Sequence, residues 1–332
     1  MKELKMREHM KERFGGKDNI LYNPPLPQSL NIEINNTCNH KCEFCDFHGP
    51  YAPNKIHPAR MDFDTIKKIL DAAHELGIGC KELGFYLSGE PFVHTELVDA
   101  VAYAKKIGYK YVFLTTNGSL AYPEQMKRIL DAGLDSIRFS VNAADAKTYE
   151  IVHGSDDFDA VVANIKFAHE YITSNNLSTA TSLSCVITKR TFGIQNQIRQ
   201  LFENYVDDIL FIPVIVEMLN CSEDIKKSLR IVDDTKAVIN HNFNCPILFN
   251  TMYIDPNLNV IPCCFACGKN VSFYNLNDDF NLENAWYSAL YKEYRSIFLD
   301  NCDDAGTLCE DCNLRKQGIE RLAFEKEFFG RE

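Results

Sequence analysis

Cys38-Asn39-His40-Lys41-Cys42-Glu43-Phe44-Cys45 sets three thiols within eight residues, directly after Asn31-Ile32-Glu33-Ile34-Asn35. The earlier run alternates polar and apolar residues, the period of a strand. Three thiolates on one loop can converge on a single centre, and soft thiolates suit iron or zinc. Zinc would take a fourth protein ligand, for which His40 or His48 is available. An iron–sulfur cube held by three cysteines instead leaves one iron open to an outside ligand. Spacing alone keeps both open.

Working outward, short β-rich runs alternate with helical stretches as far as about residue 215. Further candidate strands are Leu83–Leu87, Tyr111–Thr115, Ser136–Val141, Thr181–Ile187 and Ile209–Pro213. Candidate helices are Phe63–Leu76, Thr95–Ile107, Pro123–Ala132, Phe158–Thr173 and Gln195–Asn204. Phe63, Ile66, Ile69, Leu70 and Ala73 fall on one face of the first. Strands alternating with helices imply parallel pairing through right-handed crossovers. Six such units fit a partial (β/α) barrel or a doubly wound sheet, with function at the C-terminal strand ends in either case.

Residues 1–28 read as an N-terminal extension, a polar helical stretch followed by the semi-rigid Asn23-Pro24-Pro25-Leu26-Pro27. Residues 29–220 hold the β/α alternation, and 221–332 form a Cys-, Asn- and Asp-rich remainder. A hairpin is expected over Met252–Ile261, turning at Asp255-Pro256-Asn257. A helix over about 314–329 closes the chain.

Of 332 residues 45% are apolar and 11% aromatic, enough for a sizeable core. Lys plus Arg number 35 against 46 Asp plus Glu, and the net charge of −11 argues against a nucleic-acid surface. The longest strongly apolar run, Ile209 to Val216, is too short to span a membrane. Met1 to Gly16 is charged throughout and lacks the apolar core of a signal peptide, so the expected compartment is the cytoplasm. In that reducing setting 13 cysteines point to metal or chemistry rather than disulfides. Cys80, Cys185 and Cys221 stand apart and read as ordinary small residues. Cys245 and Cys263 bracket the hairpin, and Cys309 and Cys312 form a later pair. Four thiolates in that arrangement suit zinc or an iron–sulfur cluster.

The ordered segments resemble the radical S-adenosylmethionine (SAM) superfamily. They are the CxxxCxxC loop with Phe44 before its third Cys, Leu87-Ser88-Gly89-Glu90-Pro91, Thr115-Thr116-Asn117-Gly118, and Phe139-Ser140-Val141-Asn142. The second is similar to that family's Gly-Gly-Glu-Pro segment, with Ser88 in place of the first Gly. The resemblance implies an α/β fold, a partial (β/α)6 TIM-like barrel, in which Cys38, Cys42 and Cys45 hold a [4Fe–4S] cluster with SAM on its open iron. It further implies that Ser88, Gly89, Glu90 and Pro91 border the methionine moiety, with Glu90 accepting from its ammonium. Ser140, Asn117 and Asn142 reach the ribose or carboxylate, and Phe44 lies near the adenine. Such enzymes split SAM reductively into methionine and a 5′-deoxyadenosyl radical that takes hydrogen from an unactivated C–H. A flavodoxin- or ferredoxin-type protein supplies the electron.

The run from Cys245 through Cys263 to Cys309-x-x-Cys312 resembles the small Cys-rich C-terminal extension of SPASM and twitch radical SAM enzymes. There it carries auxiliary [4Fe–4S] clusters, here by way of Cys245, Cys263, Cys309 and Cys312. Leu258 stands where that pattern has Gly. Cys264, Cys267 and Cys302 do not reproduce the spacing of a second ligand set, so one auxiliary cluster is expected. Two reactions follow from the resemblance. A substrate radical at an alcohol carbon gives a ketone when the auxiliary cluster takes its electron, or an epimer when a thiol such as Cys264 returns hydrogen. Residues 1–28 are too short for a leader-peptide-binding domain, which tilts the expected substrate to a carbohydrate- or cyclitol-type small molecule over a peptide. A degenerate iron–sulfur electron carrier or scaffold, and a zinc-stabilised binding module, are the non-enzymatic readings. The intact segment Leu87 to Pro91 speaks against the carrier.

Overall fold

The computed structural model describes residues 20–53, 55–216, 219–231, 245–266, 271–300, 306–310 and 312. Cys267, Cys302, the expected closing helix and the N-terminal helical stretch lie outside the described residues.

Strand β1 (Ser29–Ile32) turns the fully buried Leu30 and Ile32 to one side and Ser29 and Asn31 to the other. After the cysteine loop, α1 (Phe63–Glu75) starts where the Asp62 carboxylate accepts the Thr65 N–H at 2.7 Å. It buries Ile66, Ile69, Leu70 and Ala73, the stripe read from the sequence. The alternation continues through β2 (Glu82–Phe85), α2 (Leu97–Ile107), β3 (Val112–Thr116), α3 (Pro123–Asp131) and β4 (Ser136–Ser140). Then come α4 (Ala146–His153), α5 (Phe158–Ser174), β5 (Ala180–Ile187), α6 (Gln195–Phe202), β6 (Asp208–Pro213) and α7 (Glu223–Leu229). Strands β1 to β6 pair in parallel with their sequence neighbours, giving a partial (β/α)6 barrel.

Two features depart from the sequence expectation. The first is α4, inserted between β4 and the helix expected at Phe158. Its ends are well specified: Asp145 accepts the Thr148 N–H at 2.9 Å, and Gly154 follows at φ +63°. The second is where the hairpin goes. After α8 (Pro246–Asn250), β7 (Thr251–Ile254) pairs in parallel with β1, setting Leu30 opposite Met252. Strands β8 (Asn259–Ile261) and β9 (Tyr274–Asn275) continue the same sheet as antiparallel neighbours. The architecture thus changes near residue 220 without a break in the sheet.

The hairpin turn is held by Asp255, whose carboxylate accepts the Asn257 and Asn259 N–H groups, both at 2.9 Å. Leu258 takes the left-handed conformation, φ +64°, a region that costs a residue with a Cβ. That is the position where the resembled pattern carries Gly.

Helices α9 (Leu282–Trp286) and α10 (Ala289–Leu299) close the far side of this hairpin. The proline-rich lead-in docks on them: Trp286 Nε1 donates to the Pro25 carbonyl and the Tyr287 hydroxyl to that of Pro24, each at 3.0 Å. Buried Arg295 lies 4.2 Å from the Trp286 ring centroid and donates to the Leu248 carbonyl at 3.1 Å, fastening α10 to α8.

Candidate functional site

The cysteine loop is anchored by backbone on one flank. Lys41 N–H donates to the His153 carbonyl at 3.0 Å and Glu43 N–H to that of Val152 at 2.9 Å, using carbonyls that the end of α4 leaves open. The loop folds tightly on itself, because Cys45 N–H donates to the Cys42 carbonyl and Gly49 N–H to that of Cys45. A Cβ at Gly49 would lie 2.4 Å from both carbonyl oxygens, so only glycine closes this turn.

Each of the three sulfurs has a nitrogen beside it. The His40 backbone N–H lies 3.5 Å from Cys38 Sγ, that of His48 is 3.4 Å from Cys45 Sγ, and His153 Nδ1 is 3.5 Å from Cys42 Sγ. Burial pushes the Cys38 thiol up to about 12, with the nearby Glu90 and Cys45 charges adding to it. It raises Cys42 and Cys45 as well, helped at Cys42 by the other two thiols. Bare thiolates therefore repel one another here, and a cationic centre among them would remove that penalty.

Among the described residues, the three ligand atoms found within 4.8 Å of one another belong to His40, Cys42 and His153. That set holds two imidazoles and one thiol, so it is not the three-thiol group of the loop. His40 is moreover turned to Asp157, its Nε2 3.0 Å from Oδ2. With His40 committed to Asp157, three soft thiols remain as the donor set, which fits an iron–sulfur cluster.

The segment after β2 is bound to the start of this loop. Glu90 N–H donates to the Thr37 carbonyl at 2.8 Å, and Asn35 Nδ2 to the Glu90 carbonyl at 3.0 Å. The Glu90 carboxylate is buried and accepts from Phe92 N, Thr116 Oγ1 and Asn117 N at 2.7–3.0 Å. Ser88 and Gly89 face another carboxylate. Ser88 N, Ser88 Oγ and Gly89 N all donate to Glu33 Oε1, at 2.6, 2.5 and 3.0 Å.

Burial lifts Glu90 to about 7 against an ordinary 4.5, its three donors opposing the rise. Between these values the folded cofactor-free chain binds more protons than the unfolded one, so its stability falls as pH rises through that window. The loss is at most about 3 kcal/mol. Urea unfolding at a series of pH values should show this slope, and Glu90→Gln should flatten it. Equal slopes in the two proteins would refute the assignment.

The remaining sequence-predicted residues are distributed as follows. Asn117 donates from Nδ2 to Asn39 Oδ1 at 2.9 Å and lies 4.0 Å from Cys38 Sγ. Ser140 Oγ is 3.5 Å from Ser184 Oγ on the neighbouring strand. The Asn142 side chain is used inside the protein, its Oδ1 accepting from Val186 N at 2.7 Å and its Nδ2 facing His153 Nε2 at 3.2 Å. Phe44 packs with Val214, Val216 and Leu219 beyond the end of β6.

At the second cysteine group the charges of Cys264, Cys245 and Cys312 all act on Cys263, which burial already raises well above an ordinary thiol. Cys245 is pushed up to about 12 by burial, with Cys312 and Cys264 contributing. Cys309 is buried, and its charge, like that of Cys263, reaches Tyr294. Alternation along a strand would have sent Cys263 and Cys264 to opposite sides. That expectation fails, because β8 ends at Ile261 and Cys264 opens a 3₁₀ turn, Cys264–Ala266. Both thiols belong to one group.

A cavity of about 300 Å³ opens between the segment after β2 and the hairpin, with Glu33, Asn36, Ser88, Asp255, Asn259 and Ala266 in its wall.

A model of the radical SAM superfamily matches residues 32–187, and one of an iron–sulfur cluster-binding domain, SPASM, matches 245–313. The chain belongs to the radical SAM superfamily. Its cofactors are accordingly a [4Fe–4S] cluster, SAM and an auxiliary cluster. A probable GTP 3′,8-cyclase of Saccharolobus islandicus is 34% identical over 141 residues, 42% of this chain and 43% of that protein. The chain thus matches less than half the length of this curated relative. Streptococcus suis SuiB, solved with its precursor peptide SuiA, superposes with TM-score 0.64 at 17% identity, covering 94% of this chain and 74% of SuiB. BtrN, solved with AdoMet and 2-DOIA, gives TM-score 0.54 at 15% identity over 87% of this chain and 93% of BtrN. Both likenesses establish the radical SAM fold. Among the described residues no helix is long and apolar enough to cross a membrane.

Three residues of this radical SAM site escaped the sequence reading: Glu33, Gly49 and His153. Glu33 sat in plain alternation in the run Asn31–Asn35, just past the end of β1, and its polar, strand-end position was the available signal. Gly49 and His153 gave none without their partners.

Proposed function

We propose that Cys38, Cys42 and Cys45 hold the SAM-cleaving cluster, that the hairpin cysteines hold the auxiliary one, and that the enzyme oxidises an alcohol of a carbohydrate- or cyclitol-type small molecule. The observation that carries this reading is the cavity. It runs from Ser88, beside Glu90, to Ala266, at the end of the turn that Cys264 opens, and its wall is mostly polar. A ligand there would contact Ser88 of the SAM segment and Ala266 of the turn that Cys264 opens. Glu33 and Asp255 place two carboxylates in that wall. Hydroxyls of a guest would hydrogen-bond to such groups.

When bound, the cofactors supply a hydrogen-abstracting 5′-deoxyadenosyl radical and an acceptor for the electron left on the substrate. The chain itself must orient the reacting alcohol and take its proton. Asp255 and Glu33 offer carboxylates in the cavity wall for hydroxyl contacts, and His57, also in the wall, would take the proton. The hydrogen atom, the electron and the proton then each have a destination, and a ketone remains. The electron that starts the cycle comes from a flavodoxin- or ferredoxin-type donor.

Epimerisation is the second reading, with Cys264 returning hydrogen. The placement of Cys264 among the hairpin thiols favours a ligand or neighbour of the auxiliary cluster over a donor at the substrate. Anaerobic turnover in D₂O with a panel of polyols, aminocyclitols and peptides decides between them. The expected product is two mass units lighter than the substrate and carries no solvent deuterium at the reacting carbon. A product of unchanged elemental composition with one deuterium would establish the epimerase instead.

A further inference from the structure

The ring of His153 lies against the cysteine loop, and its proton can be placed from the surrounding donors. The Asn142 backbone N–H points at His153 Nε2 at 3.1 Å, and a backbone N–H can only donate. Asn142 Nδ2 faces the same nitrogen at 3.2 Å. That amide is oriented independently, because its oxygen accepts the Val186 N–H at 2.7 Å. Two donors at Nε2 leave it unprotonated, so the proton of the neutral ring sits on Nδ1. Nδ1 is the atom 3.5 Å from Cys42 Sγ. The ring is fully buried, stacked on Tyr149 at 4.0 Å between centroids and met edge-on by His40 at 5.5 Å.

We propose that His153 is a positioning residue that donates its Nδ1–H to the Cys42 sulfur and thereby raises the reduction potential of the cluster bound there. The proposal rests on Cys42 being a ligand of that cluster. Reduction adds one negative charge, part of which falls on the cysteine sulfurs. A hydrogen bond to sulfur stabilises the reduced state more than the oxidised one, and burial strengthens the preference. The chain Val186–Asn142–His153–Cys42 thus couples β4 and β5 to the cluster loop.

The test uses the full chain, reconstituted anaerobically with iron and sulfide and titrated against electrode potential with EPR detection, without SAM. In His153→Phe the aromatic stack on Tyr149 is kept and the donor removed. At a fixed potential near the midpoint, the reduced-to-oxidised ratio of this cluster should fall about tenfold, a shift of about 59 mV to more negative values for a one-electron couple. The auxiliary cluster should not move. His153→Asn, whose amide nitrogen falls near the position of Nδ1, should stay close to wild type. With ¹⁵N-histidine labelling, pulsed EPR should show nitrogen coupling to the reduced cluster in wild type and its loss in His153→Phe. An unchanged midpoint in His153→Phe with the cluster intact would overturn the proposal. Should His153→Phe fail to assemble the cluster, absence of the nitrogen coupling in wild type would overturn it equally. Failure of the underlying ligand assignment looks different, since the same EPR signal would then survive in a Cys38/Cys42/Cys45→Ala chain.

Discussion

A Cys38/Cys42/Cys45→Ala chain should form no 5′-deoxyadenosine from SAM under anaerobic reduction while still carrying about four irons. The loss should exceed about a thousandfold, a barrier increase of about 4 kcal/mol or more. The fold should survive the change, because the loop is fixed by main-chain bonds that no thiol makes: Lys41 N–H to the His153 carbonyl, Glu43 N–H to that of Val152, Gly49 N–H to that of Cys45. Alanine also fits wherever cysteine did. What disappears is the set of three desolvated sulfurs, each beside a nitrogen, that only a metal centre makes favourable. Circular dichroism and the remaining iron separate loss of the cluster from loss of the fold. SAM cleavage at the wild-type rate would refute the ligand assignment outright.

How much of this was legible beforehand depends on the range of the interaction. The six barrel strands were readable within a few residues, since period-two alternation is local and the helices between them declare their own buried stripe. Boundaries slipped where the pattern outlasts the ladder. Ile34 is as buried as Ile32, yet β1 ends at Ile32 and only Glu33 N–H continues to the Ile254 carbonyl. The pairing of β1 with β7, more than 200 residues apart in sequence, had no local signal, because the partner of a parallel strand is chosen by the whole fold. Helix α4 was overlooked although Asp145 and Gly154 mark its ends. With it went His153, whose meaning depends on Asn142 and Cys42 rather than on its own neighbours.

Asn142 makes the same point from the other direction. The motif was read in its place, but its amide is taken up by Val186 and His153, so it acts on the cluster loop through another residue. Site chemistry was legible where one segment supplies it, as in Cys38 to Cys45. It was hidden where three segments must meet.

Removing the hairpin cysteines should uncouple the enzyme rather than silence it. A Cys245/Cys263→Ala chain is expected to keep about four irons of about eight, to cleave SAM near the wild-type rate, and to yield at least about tenfold less ketone per 5′-deoxyadenosine formed. The reason is positional. Cys245 opens α8 and Cys263 lies between β8 and the Cys264–Ala266 turn, both on elements separate from the loop that carries Cys38 to Cys45. Arg295 still fastens α10 to α8 through the Leu248 carbonyl, which gives the hairpin support independent of metal. Part of the metal's binding energy nevertheless belongs to folding, so a lower melting temperature should accompany the loss of iron. Cys264→Ala is the informative companion. With Cys264 inside the group formed by Cys245, Cys263 and Cys312, its loss should affect iron content or auxiliary potential and leave solvent deuterium absent from the product. If Cys264→Ala instead keeps all its iron and cleaves SAM but stops short of an epimer that wild type labels in D₂O, the thiol is the hydrogen donor and the oxidation reading is wrong. Stoichiometric zinc without iron at the hairpin would remove the electron acceptor, and with it the oxidation.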